Sequence, residues 1–555
     1  MSDQDQRALD SLYAIDNVLT INIVLPQSDW DAVRTEQPAG GVCNFDWTGG
    51  SRFTWRKATS VEISGTKFPA LTKFSEVGIK KKSFCGSLNS DKPCLHIDFA
   101  KFRDANKPLI RTLIGSQYLT LNNSVQDASY LRQPLGYKLF ELAGLPHSRC
   151  NFARVLVNGV PIGQGVAGVN GPGVFVNAEP IMPRYIERNF GTTKGNLYEL
   201  EHKDDFVGAR FGFIGVESLS EFEDKADLRF AIDHIAAHGL AGASQVFDLD
   251  QFTKLYAMEF FLKHWDGYSR NTNNTYVYND VAAVATPGVD DINFKMIPWG
   301  LDQTLQPARH FKIDTTGLIA KLVRDDAGRR AHLADQIRSY RDTVFDRKTQ
   351  QTVLRPMLEQ MGALLTGLGV PQMPVQVTTA RKQLRLAASA GYLFGGLPGT
   401  EGAYVREDVT NDCMHASTTE TIPAGAPDPS GSEVVHRPRT ENVDDTDLWC
   451  FGDLGTGKSV TNKASGKFLH AGTTTSNQGH KLLCTSAADN TDHADEFSVT
   501  PTDPVNPPDD NFTFSGYFTL TSSRTALSAA FGTDTTPAGK PRVHQDPGPS
   551  KLYFS

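Results

Sequence analysis

The residues of this chain best equipped for chemistry lie in one short run. It reads His264-Trp265-Asp266-Gly267-Tyr268-Ser269-Arg270-Asn271-Thr272-Asn273-Asn274. About thirty residues on comes Ile297-Pro298-Trp299-Gly300-Leu301-Asp302. A carboxylate beside an acceptor hydroxyl, an amide oxygen on a metal and a second carboxylate on that metal are what phosphoryl transfer requires. An Asp followed five residues later by an Asn arises by chance in many proteins, and Asp266 alone could simply cap a turn. The sequel gives the pattern weight: an Asn-rich turn, a β-rich run Thr275-Tyr276-Val277-Tyr278, and a second strand-like run leading to an acid.

The gap from Asp266 to Asn271 is the spacing inside the protein-kinase catalytic loop H-R-D-x-x-x-x-N. The stretch resembles the CotH-like spore coat protein kinases, an atypical kinase family whose pattern runs H-x-D-G-y-x-x-N-x-N-N, then i-P-W-D-x-D. Upstream, Leu119-Thr120-Leu121-Asn122-Asn123 and Asp127-Ala128-Ser129-Tyr130-Leu131-Arg132 are similar to the family's L-x-L-N-N and D-x-S-x-L-R. Ala153 to Gly159 resembles a-R-V-x-v-N-G, and Glu179 followed by Gly195-Asn196-Leu197-Tyr198 resembles v-E…G-N-L-Y. The likeness covers about residues 15 to 390.

The resemblance implies ATP- and Mg²⁺- or Mn²⁺-dependent transfer to protein Ser/Thr hydroxyls. Asp266 would orient the acceptor hydroxyl and take its proton. Asn271, Asn274 and Asp302 would hold the metal. Lys92 and Lys82 are the candidate phosphate-binding cations, and a solvated basic edge is the competing reading of the Lys80-Lys81-Lys82 run. In a strand Lys80 and Lys82 share a face and Lys81 points away. Glu179 would pair with the phosphate-binding lysine or help ligate metal; it could equally cap the helix that follows at Met182. Asn123, Asp127 and Arg132 fit a core network better than a catalytic role. Where the family reads W-D-x-D this chain has Gly300, so it is either active through Asp302 or a pseudokinase short of one ligand.

Composition narrows the classes. With 55 basic and 63 acidic residues the net charge is −8, which argues against a general nucleic-acid binder. No apolar run reaches the length of a membrane span. Met1-Ser2-Asp3-Gln4-Asp5-Gln6 lacks the basic and apolar segments of a signal peptide, while the family resemblance points to an extracellular or cell-surface location. The seven cysteines include no C-x-x-C, so a structural zinc site is not expected. Cys85 and Cys94 flank a Gly/Ser/Asn loop and are read as a hairpin bridge or as free thiols.

The elements that must position these groups follow from periodicity. Strands are expected at 16–25, 60–63, 76–81, 94–99 and 154–157, and helices at 130–142 and 181–189. A further helix capped by Asp250 should deliver His264 and Asp266 at its C-terminal end. The expected fold class is α+β: a bilobal atypical kinase-like domain over 1–395 (N-lobe about 15–200, C-lobe about 201–395), then an all-β domain over 397–555. In that second region, Val405…Met414, Val460…Leu469 and Phe518…Leu527 repeat with equal spacing, closed by Trp449, Phe497 and Tyr553. Three units that cannot bury a face alone suggest a β-trefoil, resembling ricin-B-like or fascin-like domains. The lectin Q-x-W closure is absent, leaving its ligand open between a glycan and a protein. Pro-rich insertions at 422–429 and 501–508 read as surface loops. The alternative function is a catalytically impaired surface or adhesion protein. A glycan-active enzyme is disfavoured because no carboxylate pair suggests a glycosidase.

Overall fold

Alternation builds the first part of the chain. In β1 (Leu19–Val24) Leu19, Ile21 and Ile23 are buried and Thr20 is exposed, the period of two that a strand imposes. The computed structural model describes residues 3–67, 71–217, 220, 224–309 and 311–394, and strands between 403 and 554. It divides into two compact units: residues 1–330 with 352–381, and residues 331–351 with 382–555.

In the first unit β1 is joined by β2 (Arg56–Gly65), β3 (Thr72–Lys81), β4 (Leu95–Asp98), β5 (Tyr118–Asn122), β6 (Cys150–Val157), β7 (Val160–Pro161) and β8 (Val174–Ala178). Their order is β1-β2-β3-β4-β5-β8-β6-β7. β1 also pairs in parallel with β6, from Leu19 opposite Ala153 to Ile23 opposite Val157. Seven strands therefore close into a barrel, with β7 outside the ring. Ile21, Val61, Phe74, Ile97, Leu119 and Val155 fill its core, with Leu9 from α1 (Asp3–Leu12), Trp30 from α2 (Gln27–Thr35) and Ile110 from α3 (Lys107–Leu113).

The second sheet of this unit comprises β9 (Leu197–Leu200), β10 (Gly215–Glu217), β11 (Thr275–Asn279) and β12 (Phe294–Pro298), in the antiparallel order β10-β9-β11-β12. The helices around it include α4 (Arg132–Leu142), α5 (Pro183–Phe190), α6 (Ala226–Val246), α7 (Leu249–Leu262), α8 (Tyr268–Asn271) and α9 (Leu318–Asp325). α7 is buried on nearly every side, as a helix apolar all round must be. Its cap is Asp248 rather than the expected Asp250: the Gln251 amide donates to Asp248 Oδ1 at 2.9 Å. The Asp248 amide is tied to the Phe294 carbonyl of β12, so strand contact fixes where the helix begins. In α4, a Cβ on Gly136 would stand 2.9 Å from the Leu301 side chain. That glycine lets α4 close on the turn that carries Asp302.

Of the two readings of Cys85 and Cys94, the bridge between them is not formed, and the free thiol holds for Cys94 alone. Cys85 pairs with Cys43, and Cys94 is a buried free thiol, as is Cys150. Cys94 is buried just before β4, its Sγ accepting from the Asn123 amide at 3.3 Å, while Cys85 is taken up by a partner 42 residues away. Among the described residues no helix is long and apolar enough to cross a membrane.

The second unit carries β13 (Ala403–Glu407), β14 (Cys413–Thr421), β15 (Gly431–Arg437), β16 (Leu448–Asp453), β17 (Lys458–Asn462), β18 (Phe468–Ser476), β19 (Gly479–Thr485), β20 (Phe497–Pro501), β21 (Tyr517–Ser522), β22 (Ser528–Thr535), β23 (Pro541–Asp546) and β24 (Leu552–Phe554). Six of them close a ring, β13-β16-β17-β20-β21-β24. The other six form the hairpins β14–β15, β18–β19 and β22–β23, joined through β15, β19 and β23. Each hairpin has a register shift at the matching place, after Ala416, Ala471 and Phe531. Trp449, Phe497 and Tyr553 lie in β16, β20 and β24. Leu527, the 422–429 and 502–508 insertions, and the 395–402 junction lie outside the described residues.

Candidate functional site

α7 ends where Lys263 takes a left-handed conformation (φ 50°). The chain then turns sharply enough to bring His264 under the loop and Asp266 into it. Three asparagine amides converge on the Asp266 carboxylate. Asn271 Nδ2 donates to Oδ1 at 2.5 Å, Asn273 Nδ2 to Oδ1 at 3.0 Å, and Asn274 Nδ2 to Oδ2 at 2.9 Å. An amide whose nitrogen faces a carboxylate presents its oxygen on the opposite edge. Asp266 thereby aims the oxygens of Asn271 and Asn274 away from itself.

Glu259, inside the apolar α7, anchors this loop. Its carboxylate accepts from the Tyr268 and Ser269 amides, each at 3.0 Å, capping the first turn of α8. Burial pushes Glu259 up to about 7, against those hydrogen bonds. Gly267 is required here: a Cβ would lie 2.4 Å from Glu259 Oε1 and 2.6 Å from the His264 ring. His264 is buried, and desolvation pulls it down to about 4 despite the nearby Asp266. It is a neutral packing group at pH 7. Asp205 holds the far side of the loop, accepting from the Tyr268 hydroxyl at 2.7 Å.

Asp302 sits half-buried in the one-turn helix Leu301–Gln303 that follows β12. Its Oδ2 accepts from Asn122 Nδ2, at the end of β5, at 3.2 Å. Burial raises Asp302 to about 6; Asn122 opposes this, and Asp127 and Asp266 add repulsion. Asp266 and Asp302 are thus electrostatic neighbours. Gly300 lies between them in the left-handed region (φ 57°, ψ 45°). A Cβ there would stand 2.2 Å from Asn274 Oδ1. The amide oxygen of Asn274 occupies the room that an acid at position 300 would need.

The expected cations part company. Lys92 is 2% exposed, and its ammonium donates to Tyr130 Oη at 2.5 Å, Asn170 O at 3.0 Å and Gly171 O at 3.1 Å. It braces the Gly163–Gly173 loop, and burial lowers its pKa to about 7. Lys82 instead reaches Trp299, Nζ lying 5.5 Å from the ring centroid. Lys81 points inward to the carbonyls of Arg34 and Glu36, as strand alternation requires. Lys80 and Lys82 face Glu217 of β10. Burial and its neighbour Glu199 raise Glu217 to about 7, and the two lysines oppose the shift.

Glu179 neither pairs with a lysine nor caps the helix after it; its partners are Arg149 and Arg188 of α5. Arg149 Nη2 and Arg188 Nη2 approach it at 2.9 and 2.7 Å, and α5 has no side-chain cap. The two guanidiniums hold its carboxyl below the usual range although burial acts the other way. Asn123, Asp127 and Arg132 form a structural network: Asn123 Nδ2 donates to the Lys92 carbonyl at 2.8 Å, and Asp127 accepts the Arg132 amide at 2.9 Å.

Sequence reading missed Asn122, Asn273, Glu199, Glu217 and Glu259. Glu259 was the most accessible of these, being an acid in the middle of the apolar run Met258-Glu259-Phe260-Phe261. Among the described residues no group of three or more His, Cys, Asp or Glu side chains could hold a metal. Any divalent ion here would rely on Asp302, amide oxygens and a ligand's own oxygens, which suits Mg²⁺ and its retained waters.

Residues 82–354 match a family model described as CotH kinase protein. Spore coat protein homolog 1 of Rhizopus delemar is 27% identical over 229 residues, 36% of this chain and 35% of the relative. Invasin CotH7 of the same organism is 26% identical over 205 residues, 34% of this chain and 33% of the relative. The alignments span about a third of these curated relatives. The SDF2-like protein from Arabidopsis thaliana aligns with 29% of this chain and 95% of its own at 12% identity, TM-score 0.23. A Macrolepiota procera ricin B-like lectin aligns with 29% of this chain and 97% of its own at 13% identity, TM-score 0.20. Neither TM-score is high enough to establish a common fold. The segment that brings Asp266, Asn271, Asn274 and Asp302 together is a CotH-like one, matched to the CotH kinase protein family.

Proposed function

We propose that the region up to about residue 395 is an atypical kinase that transfers the γ-phosphoryl group of ATP to protein Ser/Thr hydroxyls. The observation that carries this reading is the Asp266–Asn271–Asn274 constellation beside the raised Asp302 carboxylate. Asp266 would accept the hydroxyl proton. The three amides that donate to it fix its direction. Asp302 and the oxygens of Asn271 and Asn274 would hold Mg²⁺ or Mn²⁺, which when bound neutralises charge on the phosphates. The fit rests on charge: burial first, then repulsion from Asp127 and Asp266, disfavours Asp302 as an anion, and a cation relieves that. Lys82 would steady the phosphates, with Glu217 as its charge partner. A thermal-shift titration with Mg²⁺-ATP, then transfer of labelled phosphate, tests the reading. No stabilisation at millimolar Mg²⁺-ATP and no transfer would reject it.

A second reading is a surface or adhesion role with weak or no catalysis. It is favoured by Gly300, by the likeness to a spore coat protein homolog and an invasin of Rhizopus delemar, and by the Cys43–Cys85 disulfide, which fits an oxidising, extracellular setting. We read the closed six-stranded ring with three hairpins as a β-trefoil that docks a glycan or protein ligand. Retained binding to a host or coat surface by an Asp266→Ala variant would support that role.

A further inference from the structure

We infer that His202 is a positioning residue for the Asp266 loop, and that the Cys43–Cys85 disulfide holds it there as a thiol-sensitive strap. The inference rests on the phosphotransfer reading for its consequence in activity, but not for its structural readout.

The strap is the loop 36–55 between α2 and β2, and the disulfide pins it to the turn after β3. Phe45 lies on the strap. Its ring stands edge-on to Phe84 at 5.4 Å, next to the bridge, and edge-on to His202 at 4.8 Å. His202 Nδ1 is 3.0 Å from the Asn271 carbonyl. A carbonyl only accepts, so Nδ1 carries the proton and donates. Asn271 in turn donates to Asp266. Three ion pairs fasten the same strap to the same region: Arg52 with Glu201 at 2.6 Å, and Asp46 with Arg210 at 2.6 Å and with Lys203 at 3.7 Å. Contacts thus run without a break from the bridge to the candidate catalytic carboxylate.

Two features make this bridge a candidate for control rather than a permanent staple. Cys43 is exposed, so a small dithiol can attack it. Both cysteines also hold left-handed backbone, Cys43 at φ 55° and Cys85 at φ 47°, a conformation disfavoured for residues with a Cβ. The rest of the strap contains no compensating secondary structure. Exposed or strained bridges are the reducible ones. Two electrons and two protons from a dithiol reductant convert the bridge to two thiols, and the reductant leaves as its own disulfide. Both cysteines are then free to relax, Phe45 loses its covalent tether and keeps only the Arg210 hydrogen bond to its carbonyl and the ion pairs beside it, and the support of its ring on His202 loosens.

The test is hydrogen exchange on the folded full chain, read at the 266–274 amides, before and after treatment with a dithiol. Exchange there should rise by about tenfold on reduction, an opening easier by about 1.4 kcal/mol. Cys43→Ser should reproduce that rise without reductant, which separates this bridge from the other cysteines. His202→Phe keeps a ring against Phe45 but removes the donor, and should raise exchange in the oxidised protein. If exchange at 266–274 changes less than twofold on reduction while 40–52 loosens, the bridge is only a local staple and the inference fails. Oxidised protein that gains no protection from Mg²⁺-ATP would overturn the phosphotransfer reading instead, whatever reduction does.

Discussion

Replacing Asp302 with Asn should make the metal-free protein more stable while removing its response to Mg²⁺-ATP. The carboxyl rises from 3.8 to about 6 on folding, chiefly through burial. Two units correspond to about 3 kcal/mol against the charged form; partial exposure trims this to about 2 kcal/mol. The sign follows from proton linkage. A raised carboxyl pKa means that the native state binds the proton more tightly than the unfolded chain. Wild-type stability therefore falls as pH climbs from about 4 through about 6, and stays lower above. Asn carries no charge and can still accept from Asn122. Spread over the roughly 360 residues of the first unit, 2 kcal/mol amounts to a Tm rise of about 3 °C at pH 7.5. At pH 4.5 the gap should shrink to about a third of that. The assay is calorimetry in EDTA at both pH values, then with millimolar Mg²⁺-ATP. Wild type should gain stability from the nucleotide and the variant should not. A variant no more stable than wild type at pH 7.5 in EDTA, or equally stabilised by Mg²⁺-ATP, would refute the reasoning.

Asp266→Ala should abolish phosphate transfer yet keep most of the Mg²⁺-ATP thermal shift, because it removes the proton acceptor and not the Asp302 carboxylate. Gly300→Asp, which restores the family acid, should lower rather than raise transfer, since its Cβ displaces Asn274 Oδ1 from 2.2 Å; a gain in turnover would show that Asn274 yields freely. Gly267→Ala should destabilise the first unit by about 2 kcal/mol or more, read by urea unfolding, because Glu259 and His264 both block the added methyl. Limited proteolysis should cut near 393–402 and leave a C-terminal fragment with its β-type circular dichroism intact; a fragment that unfolds on release contradicts an independent second domain.

Local pattern made several elements legible. Alternation marked β1 and β3, and the inward turn of Lys81 between Lys80 and Lys82 followed from it. The adjacency of Asp266 and its asparagines was also readable, because loop residues so close in sequence have few ways to avoid each other. What escaped was set by distant partners. Nothing near Cys85 announces Cys43, which lies 42 residues away. Glu179 looked like a ligand until two arginines from different elements closed on it. Lys92 could be told from Lys82 only once the 163–173 loop had folded over its ammonium. Glu217 gained its place from the packing of β10 beneath the barrel lysines.

The parallel seam between β1 and β6 bears on how this protein can be cut. The family match begins at residue 82, one residue past the end of β3. A fragment trimmed to the matched span keeps the whole Asp266 loop but discards β1, β2 and β3, three of the seven staves of the barrel. β4 and β6 would then each present a row of unsatisfied backbone groups, an invitation to pair with neighbouring chains. β5, which ends at the Asn122 that touches Asp302, is hydrogen-bonded directly to β4. The minimal unit able to hold the candidate metal site therefore has to start upstream of Leu19. The family match marks where the sequence is shared, and the seam marks how much polypeptide is needed to support it.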